Sequence, residues 1–431
     1  MDKKIIRSWA MYDWANSAFS TTILATVMPI FYSGVAGKNL GPTTATAYWG
    51  YTQSVSLFLI VLLSPVLGAI ADAGKGKKGF LRFFTALGAV SSILMATIGE
   101  GEWLWASILV LIGSLAFAGA TTFYDAFLTD VAPEASRDQV STTGYAYGYI
   151  GGGLLLALNL ALIQFHDRFF LTKLAATQLS FLSVGIWWWV FSLPLFRHVR
   201  ERAPKKPVPP MLILAKTGVR RVWTSLTQVR KYPELLKFLI AFWFFNDGIN
   251  TIIKMATIYG TEIGIGQTDL IAALLITQFV GIPCTFLFGN IARRIGGKPA
   301  LIVTLICYLL IVILGYFMKN AVHFYLLAVF VGFVQGGSQA LSRSLFSLLV
   351  PVHKNAEFFG FYGLCGKFSA IFGPAVFGLV GQLTGSSRNG IASLALFFII
   401  GIILLLVVDL EKGKRQALAD EKASGAETGT A

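Results

Sequence analysis

Twelve apolar stretches, each long enough to cross the roughly 30 Å hydrocarbon core of a bilayer as a helix of about 20 residues, leave this chain one solvent. Read from the apolar runs and the polar breaks between them, they cover 8–34, 47–71, 81–99, 103–127, 140–165, 176–197, 236–261, 269–292, 299–318, 323–348, 358–383 and 390–409. Hydrophobic residues make up 55% of the chain and charged residues only 13%, too few charges to cover a soluble surface. Inside lipid every backbone polar group must be satisfied within its own segment. The expected fold class is therefore an all-α membrane protein of twelve transmembrane helices.

The stretches form two sets of six that repeat their landmarks in order. Asp13-Trp14-Ala15-Asn16 answers to Asp247-Gly248-Ile249-Asn250. Gly68, Asp72, Gly74 and the basic run Lys75, Lys77 and Lys78 answer to Gly289, Arg293, Arg294, Gly296, Gly297 and Lys298. Asp125 stands before Pro133 as Arg343 stands before Pro351, and a glycine-rich apolar segment follows each. The expected organisation is two six-helix bundles, 1–197 and 234–410, joined by a basic linker, 198–233, and followed by a disordered tail, 411–431. Repeated sets of membrane segments are how secondary transporters build a binding site between two halves that rock.

Orientation follows from the 35 Lys and Arg residues, because positive loops stay in the cytoplasm. Most of them fall in the N-terminus, alternate loops, the linker and the tail, whereas the other loops hold only Lys38, Arg168, Lys173, Lys319 and Arg388. Both termini are expected inside, in a cell inner membrane. The net charge of +14 is then topology plus contact with anionic lipid, and no nucleic-acid partner is expected. Met1-Asp2-Lys3-Lys4 resembles the start of a signal peptide, but a full-length segment bearing Asp13 and Asn16 follows without a cleavage site, so a retained first helix is expected. Met211 to Tyr232 reads as a basic amphipathic helix on the membrane surface.

Several chemistries find no support. Cys284, Cys307 and Cys365 lie in apolar spans as small hydrophobes. No metal-ligand cluster, no cofactor motif and no Walker-type glycine-lysine loop is present. His166, His198, His323 and His353 fall near loops, and no serine, histidine and acid converge at one depth, so an enzyme is not expected. Gly144, Gly148, Gly151 and Gly152 read as close-approach positions between helices. Trp187, Trp188 and Trp189 read as lipid-facing or interfacial.

Twelve segments in a six-plus-six repeat, with a long basic linker and a glycine-acid-glycine-basic loop after the second, resemble the major facilitator superfamily over the whole chain. Within it, Met11-Tyr12-Asp13-Trp14-Ala15-Asn16-Ser17-Ala18-Phe19 resembles the signature of the "unknown major facilitator" group, which includes fungal vacuolar amino-acid effluxers of autophagy; Tyr124-Asp125-Ala126-Phe127-Leu128 supports this. One departure stands in the loop, where Asp72 is followed by Ala73 and Gly74 rather than by a basic residue.

The resemblance implies that segments 1, 4, 7 and 10 line a central cavity, which directs attention to their polar residues. A charge at the bilayer centre costs at least about 2.5 kcal/mol, so it is turned inward and given a partner or a task. Asp247, Asn250 and Lys254 fall on one face of segment 7, with the two charges about 10.5 Å apart along the axis, too far for a comfortable direct pair. Segment 1 offers Asp13, Asn16 and Ser20; segment 4 Thr121, Tyr124 and Asp125; segment 10 Gln335, Gln339, Ser342 and Arg343; segment 11 Lys367, whose repeat counterpart is Tyr149. Candidate solute-binding residues are Asp13, Asn16, Asp247, Asn250, Lys254, Gln335, Gln339, Arg343 and Lys367. Candidate proton carriers are Asp247, Asp13 and Asp125. A cytoplasmic gate is expected from Asp72, Lys77, Lys78 and Arg82 meeting Asp130, Glu134 or Glu357. Acids in the first half and cations in the second suit a zwitterion. The expected protein is a monomeric, proton-coupled carrier of a small polar or zwitterionic solute, possible amino acids included, working by alternating access among membrane lipids; a solute sensor or lipid scramblase of the same fold is the alternative.

Overall fold

The computed structural model describes residues 3–72, 76–132, 137–201, 210–351 and 355–428. Among them all regular structure is helical, and it divides into two compact units, Met1–Arg220 and Arg221–Ala431. Unit 1 holds α1 (Lys3–Ala36), α2 (Pro42–Asp72), α3 (Lys77–Thr97), α4 (Trp103–Ala126), α5 (Arg137–Gln164) and α6 (Lys173–His198). Unit 2 holds α7 (Pro233–Glu262), α8 (Gln267–Ile295), α9 (Gly297–Tyr316), α10 (Ala321–Leu348), α11 in two pieces, α11a (Asn355–Ser369) and α11b (Phe372–Thr384), and α12 (Ser387–Val407). Eleven of the described helices are long and apolar enough to cross a membrane, and α8 supplies the twelfth segment, so each expected span is helical.

Helix ends fall where side chains can satisfy free backbone groups. Thr172 accepts from Ala175 N–H at the start of α6, and Asn320 accepts from His323 N–H at the start of α10. Pro233 opens α7, where a missing N–H removes nothing the helix needs. Gly296, at φ 91°, makes the sharp turn between α8 and α9 that a side chain would oppose. Two spans depart from the regular α-helix in mid-course, each near a proline. Pro29 cannot donate to the carbonyl four residues before it, and α1 widens to π geometry over Phe19–Thr26. Pro374 does the same to the carbonyl of Ala370, and α11 is interrupted between Ser369 and Phe372.

Within each unit, small residues let the helices meet. In unit 1 the α5 glycines lie against α1. A Cβ on Gly144 would stand 2.9 Å from Trp9, one on Gly148 2.6 Å from Ser17 Oγ, and one on Gly151 would collide with the Trp14 carbonyl. The close-approach expectation holds for these residues. In unit 2 Gly332 and Gly337 of α10 meet Thr277 and Phe288 of α8, and Gly248 and Gly401 bring α7 onto α12.

Two expectations are corrected here. Only Trp189 of the tryptophan cluster is exposed; Trp188 is fully buried against Gly88, and Trp187 stacks on Trp14 and donates to its carbonyl at 3.2 Å. The span is apolar on every face, so composition could not say which ring turned inward. The tail is also helical, over Leu410–Thr428. Tertiary contacts hold it where propensity alone would not: Gly413 packs on Leu349 and Glu234, Asp420 accepts from the Tyr232 hydroxyl at 2.8 Å, and Gln416 donates to the Lys231 carbonyl at 2.7 Å. The linker helix runs Met211–Val229, with Gly218 pressed against the Pro65 carbonyl of α2.

Candidate functional site

In unit 1 the first half of α1 carries the polar stripe. Asp13 is half-buried and accepts from Ser17, faces Gly148 of α5, and lies in electrostatic reach of Asp125, which is exposed at the end of α4. Two carboxylates in electrostatic reach of each other raise each other's energy when both are ionised. Asn16, one turn on, is 2% exposed. An aromatic wall fixes this region: Tyr124 stacks on Trp9 and Tyr12 at centroid distances of 4.5 and 5.0 Å. The Tyr12 hydroxyl meets Thr85 of α3 at 2.8 Å, and Trp9 Nε1 donates to the Tyr124 carbonyl. Thr121 spends its hydroxyl on the carbonyl of Phe117.

Unit 2 treats its matching carboxylate differently. Asp247 is 2% exposed, and both its oxygens accept from Gly373 N–H, at 2.8 and 2.9 Å. That N–H is free because α11 is interrupted immediately before it. The neighbouring Asn246 serves the other side of the gap, donating to the Gly366 carbonyl at 3.2 Å and to Ser369 Oγ at 2.6 Å. Thr251 donates to the Asp247 main-chain carbonyl, and Asn250 to that of Asn246. Lys254 is half-buried and in electrostatic reach of Asp247. Asp247 thus has the other partner its spacing from Lys254 called for, and the partner is backbone. Gln335 is half-buried, whereas Gln339, Arg343 and Lys367 are exposed, with Arg343 in electrostatic reach of Tyr362 on α11a.

The residues expected to form a gate divide. Lys77 and Asp130 form a 2.5 Å ion pair with side chains only 5% and 7% exposed, and Lys77 lies over the Phe127 ring. Lys78 and Arg82 have their described partners on α6. They donate to the Val199 and Phe196 carbonyls at the end of α6, where the free carbonyls and the negative end of the helix dipole attract cations. Glu134 and the side chains of Asp72 and Glu357 lie outside the described residues. Unit 2 repeats the cap, with Lys298 donating to the Leu406 and Val408 carbonyls at 2.9 and 2.7 Å.

Four residues that carry this architecture were not singled out from the sequence. Asn246 and Gly373 were signalled by Pro374 inside an apolar span, since a proline there frees backbone groups that something must meet. Glu201 accepts from the Gly76 and Lys78 N–H groups at the start of α3. Glu234, 2% exposed, accepts from Lys237, three residues on, and from Asp409 N–H; the second of these partners is too distant in sequence for any local pattern to announce. Among the described residues no group of three or more His, Cys, Asp or Glu could hold a metal ion.

Comparison with known proteins agrees with this architecture. The family described as "Vacuole effluxer Atg22 like" matches residues 39–418. An uncharacterized MFS-type transporter of Bacillus subtilis, YxiO, is 39% identical over 94% of each chain. Autophagy-related protein 22 of Yarrowia lipolytica is 25% identical over 85% of this chain and 76% of its own length. Among solved structures, a D-xylose-proton symporter superposes with a TM-score of 0.70 at 16% identity, over 95% of this chain and 99% of the other. At that identity the last likeness speaks for the fold alone.

Proposed function

We propose that this chain, which belongs to the Atg22-like vacuole effluxer family and is a multi-pass transporter of the major facilitator type, carries a small zwitterionic solute of the amino-acid class by proton-coupled alternating access. The observation that carries the reading is the division of charge. Unit 1 presents the carboxylates Asp13 and Asp125, whereas unit 2 presents the cations Arg343 and Lys367, with Lys254 half-buried. A zwitterion has one group for each set, and an ionised side chain inside a membrane helix persists when it has a task. Asn16, Asn250, Gln335 and Gln339 would add neutral hydrogen bonds to the same solute. Asp13, Asp125 and Asp247 are the candidate proton carriers. The solute class also draws on the resemblance to vacuolar amino-acid effluxers; the coupling is the property that the D-xylose-proton symporter's own title gives to that protein.

Uptake of labelled amino acids into proteoliposomes, with and without an inward pH gradient, tests both parts. Accumulation of at least one amino acid that collapses when a protonophore is added supports the proposal. Binding without net flux would make the chain a sensor, and flux of lipid instead of solute a scramblase. The proposed orientation, with both termini and the linker in the cytoplasm, is tested by cysteine labelling. An impermeant thiol reagent should modify Lys38→Cys in intact cells and leave Lys231→Cys untouched until the cells are opened.

A further inference from the structure

The interruption of α11 is held from one place. Asn246 and Asp247, adjacent on α7, satisfy the two sides of the gap: the carboxamide takes the Gly366 carbonyl and the Ser369 hydroxyl on α11a, and the carboxylate takes the Gly373 N–H on α11b. The lengthened contacts across the gap are weak by comparison, Ala370 N–H reaching Lys367 O at 3.3 Å and Ile371 N–H reaching Phe368 O at 3.4 Å. Gly373 has no room for a side chain, since a Cβ would collide with Thr251 Oγ1 and stand 2.6 Å from Asp247 Oδ1.

We infer that Ser369–Gly373 is a hinge in α11, that Asn246 and Asp247 are the positioning residues that clip it, and that the clip is released when Asp247 takes a proton. The ionised carboxylate offers both oxygens to Gly373 N–H, accepts as well from Phe372 N–H and the Thr251 hydroxyl, and carries the charge that strengthens these bonds. Adding a proton turns one oxygen into a hydroxyl and removes that charge. Gly373 N–H then keeps a neutral acceptor at best, and α11b is free to reorient on α11a. Lys254, on the same face of α7, is the charged group in electrostatic reach of Asp247. Lys367 is the cation on α11a, and the part of α12 that packs here, from Gly390 to Val407, carries no charged residue. Protonation of Asp247 is therefore read by the backbone of α11 rather than by another acid.

This deepens the proposed proton coupling and rests on it, but its test needs no solute. Hydrogen–deuterium exchange of peptides spanning 366–376 is followed in the full-length protein in nanodiscs across a pH series, with rates corrected for intrinsic pH dependence. In the parental protein, protection of this stretch should fall as the pH is lowered through the titration of Asp247. In Asp247→Asn it should be lower by about tenfold or more at every pH, the size expected for losing a charge-assisted bond. Asn246→Ala should weaken protection on the α11a side and leave the pH response in place. Asp13→Asn, the other carboxylate candidate, should change nothing in these peptides. Protection that is flat with pH in the parental protein, or equal in the parental protein and Asp247→Asn, overturns the hinge. If Asp247→Asn does not fold, the parental pH series alone decides. A hinge that responds to pH in a protein that moves no amino acid would refute the proposed solute and leave the hinge standing.

Discussion

Asp13 of α1 and Asp247 of α7 occupy matching places in the two halves of the repeat, yet one faces a continuous helix and the other an interrupted one. Asp13 meets α5 at Gly148, where the backbone is already bonded within the helix, and it is left half-buried beside Asp125. Asp247 meets α11 at Gly373, where Pro374 has broken the ladder, and it is drawn into the core as the acceptor for that free N–H. By the offset that pairs Tyr149 with Lys367, the α5 residues matching Gly373 and Pro374 are Leu155 and Leu156. Two neighbouring residues therefore separate an acid left half-buried from one that fastens a helix. The basic ends differ in the opposite sense, for unit 1 buries an ion pair there, Lys77 with Asp130, and the matching position in unit 2 is Gly297.

The sharpest way to break this comparison is at the ion pair. Lys77→Met leaves the Asp130 carboxylate buried and unpaired and should lower stability by about 3 to 5 kcal/mol, seen as a large fall in the melting temperature of the purified protein. A loss no greater than that of an exposed pair such as Lys38 with Glu100 would mean that unit 1 is not fastened there. In unit 2, Asp247→Asn should cost about 1.5 to 3 kcal/mol, the range for a hydrogen bond to a charged group. Gly373→Ala should cost about 1 to 3 kcal/mol by overpacking against Thr251. Asp13→Asn removes a carboxylate that repels Asp125 and should change stability by less than about 0.5 kcal/mol while abolishing pH-driven uptake. Equal losses from Asp13→Asn and Asp247→Asn would erase the distinction between the two acids.

The smallest expected effect concerns the helix that closes unit 2. Asp409 is exposed, and the Lys412 N–H that it accepts holds its carboxyl below the usual carboxylate range. A depressed group contributes its stabilisation above its unfolded value and loses it as the pH falls through its folded value. Acidification below the ordinary carboxylate range should therefore fray Leu410–Thr428, and Asp409→Ala should fray it at every pH, both visible as faster proteolysis of the tail with the bundle intact.

Most of the framework was legible because a bilayer dictates length: a segment of about 20 apolar residues has to be a helix, and the repeat of Asp13-Trp14-Ala15-Asn16 at Asp247 ordered the segments into halves. The glycines of α5 were legible too, since spaced small residues in a span have one common use. The roles of the charges were harder to read. Composition marks Asp247 and Lys254 as inward-facing but not what they meet, and Lys78 and Arg82 carry the same charge as Lys77 while ending on carbonyls of α6. Trp187 and Trp188 turned inward because Trp14 and Gly88 offer surfaces that lie far away in sequence. The interruption of α11 was written in Gly373-Pro374, but the residues that answer it sit on another helix.

The buried carboxylate at the start of α7 also sets a timetable. Glu234 is covered by the N–H of Asp409, 175 residues later, so at synthesis rates of about 5 to 20 residues per second it waits roughly 10 to 35 s for its partner to be made. Lys77 waits for Asp130 across a separation of only 53 residues. The first half can lock while the chain is still being threaded into the membrane, whereas the second stays open at its own beginning until its last helix arrives. Through that interval Lys237, one turn further along the same helix, is the partner already made for the acid.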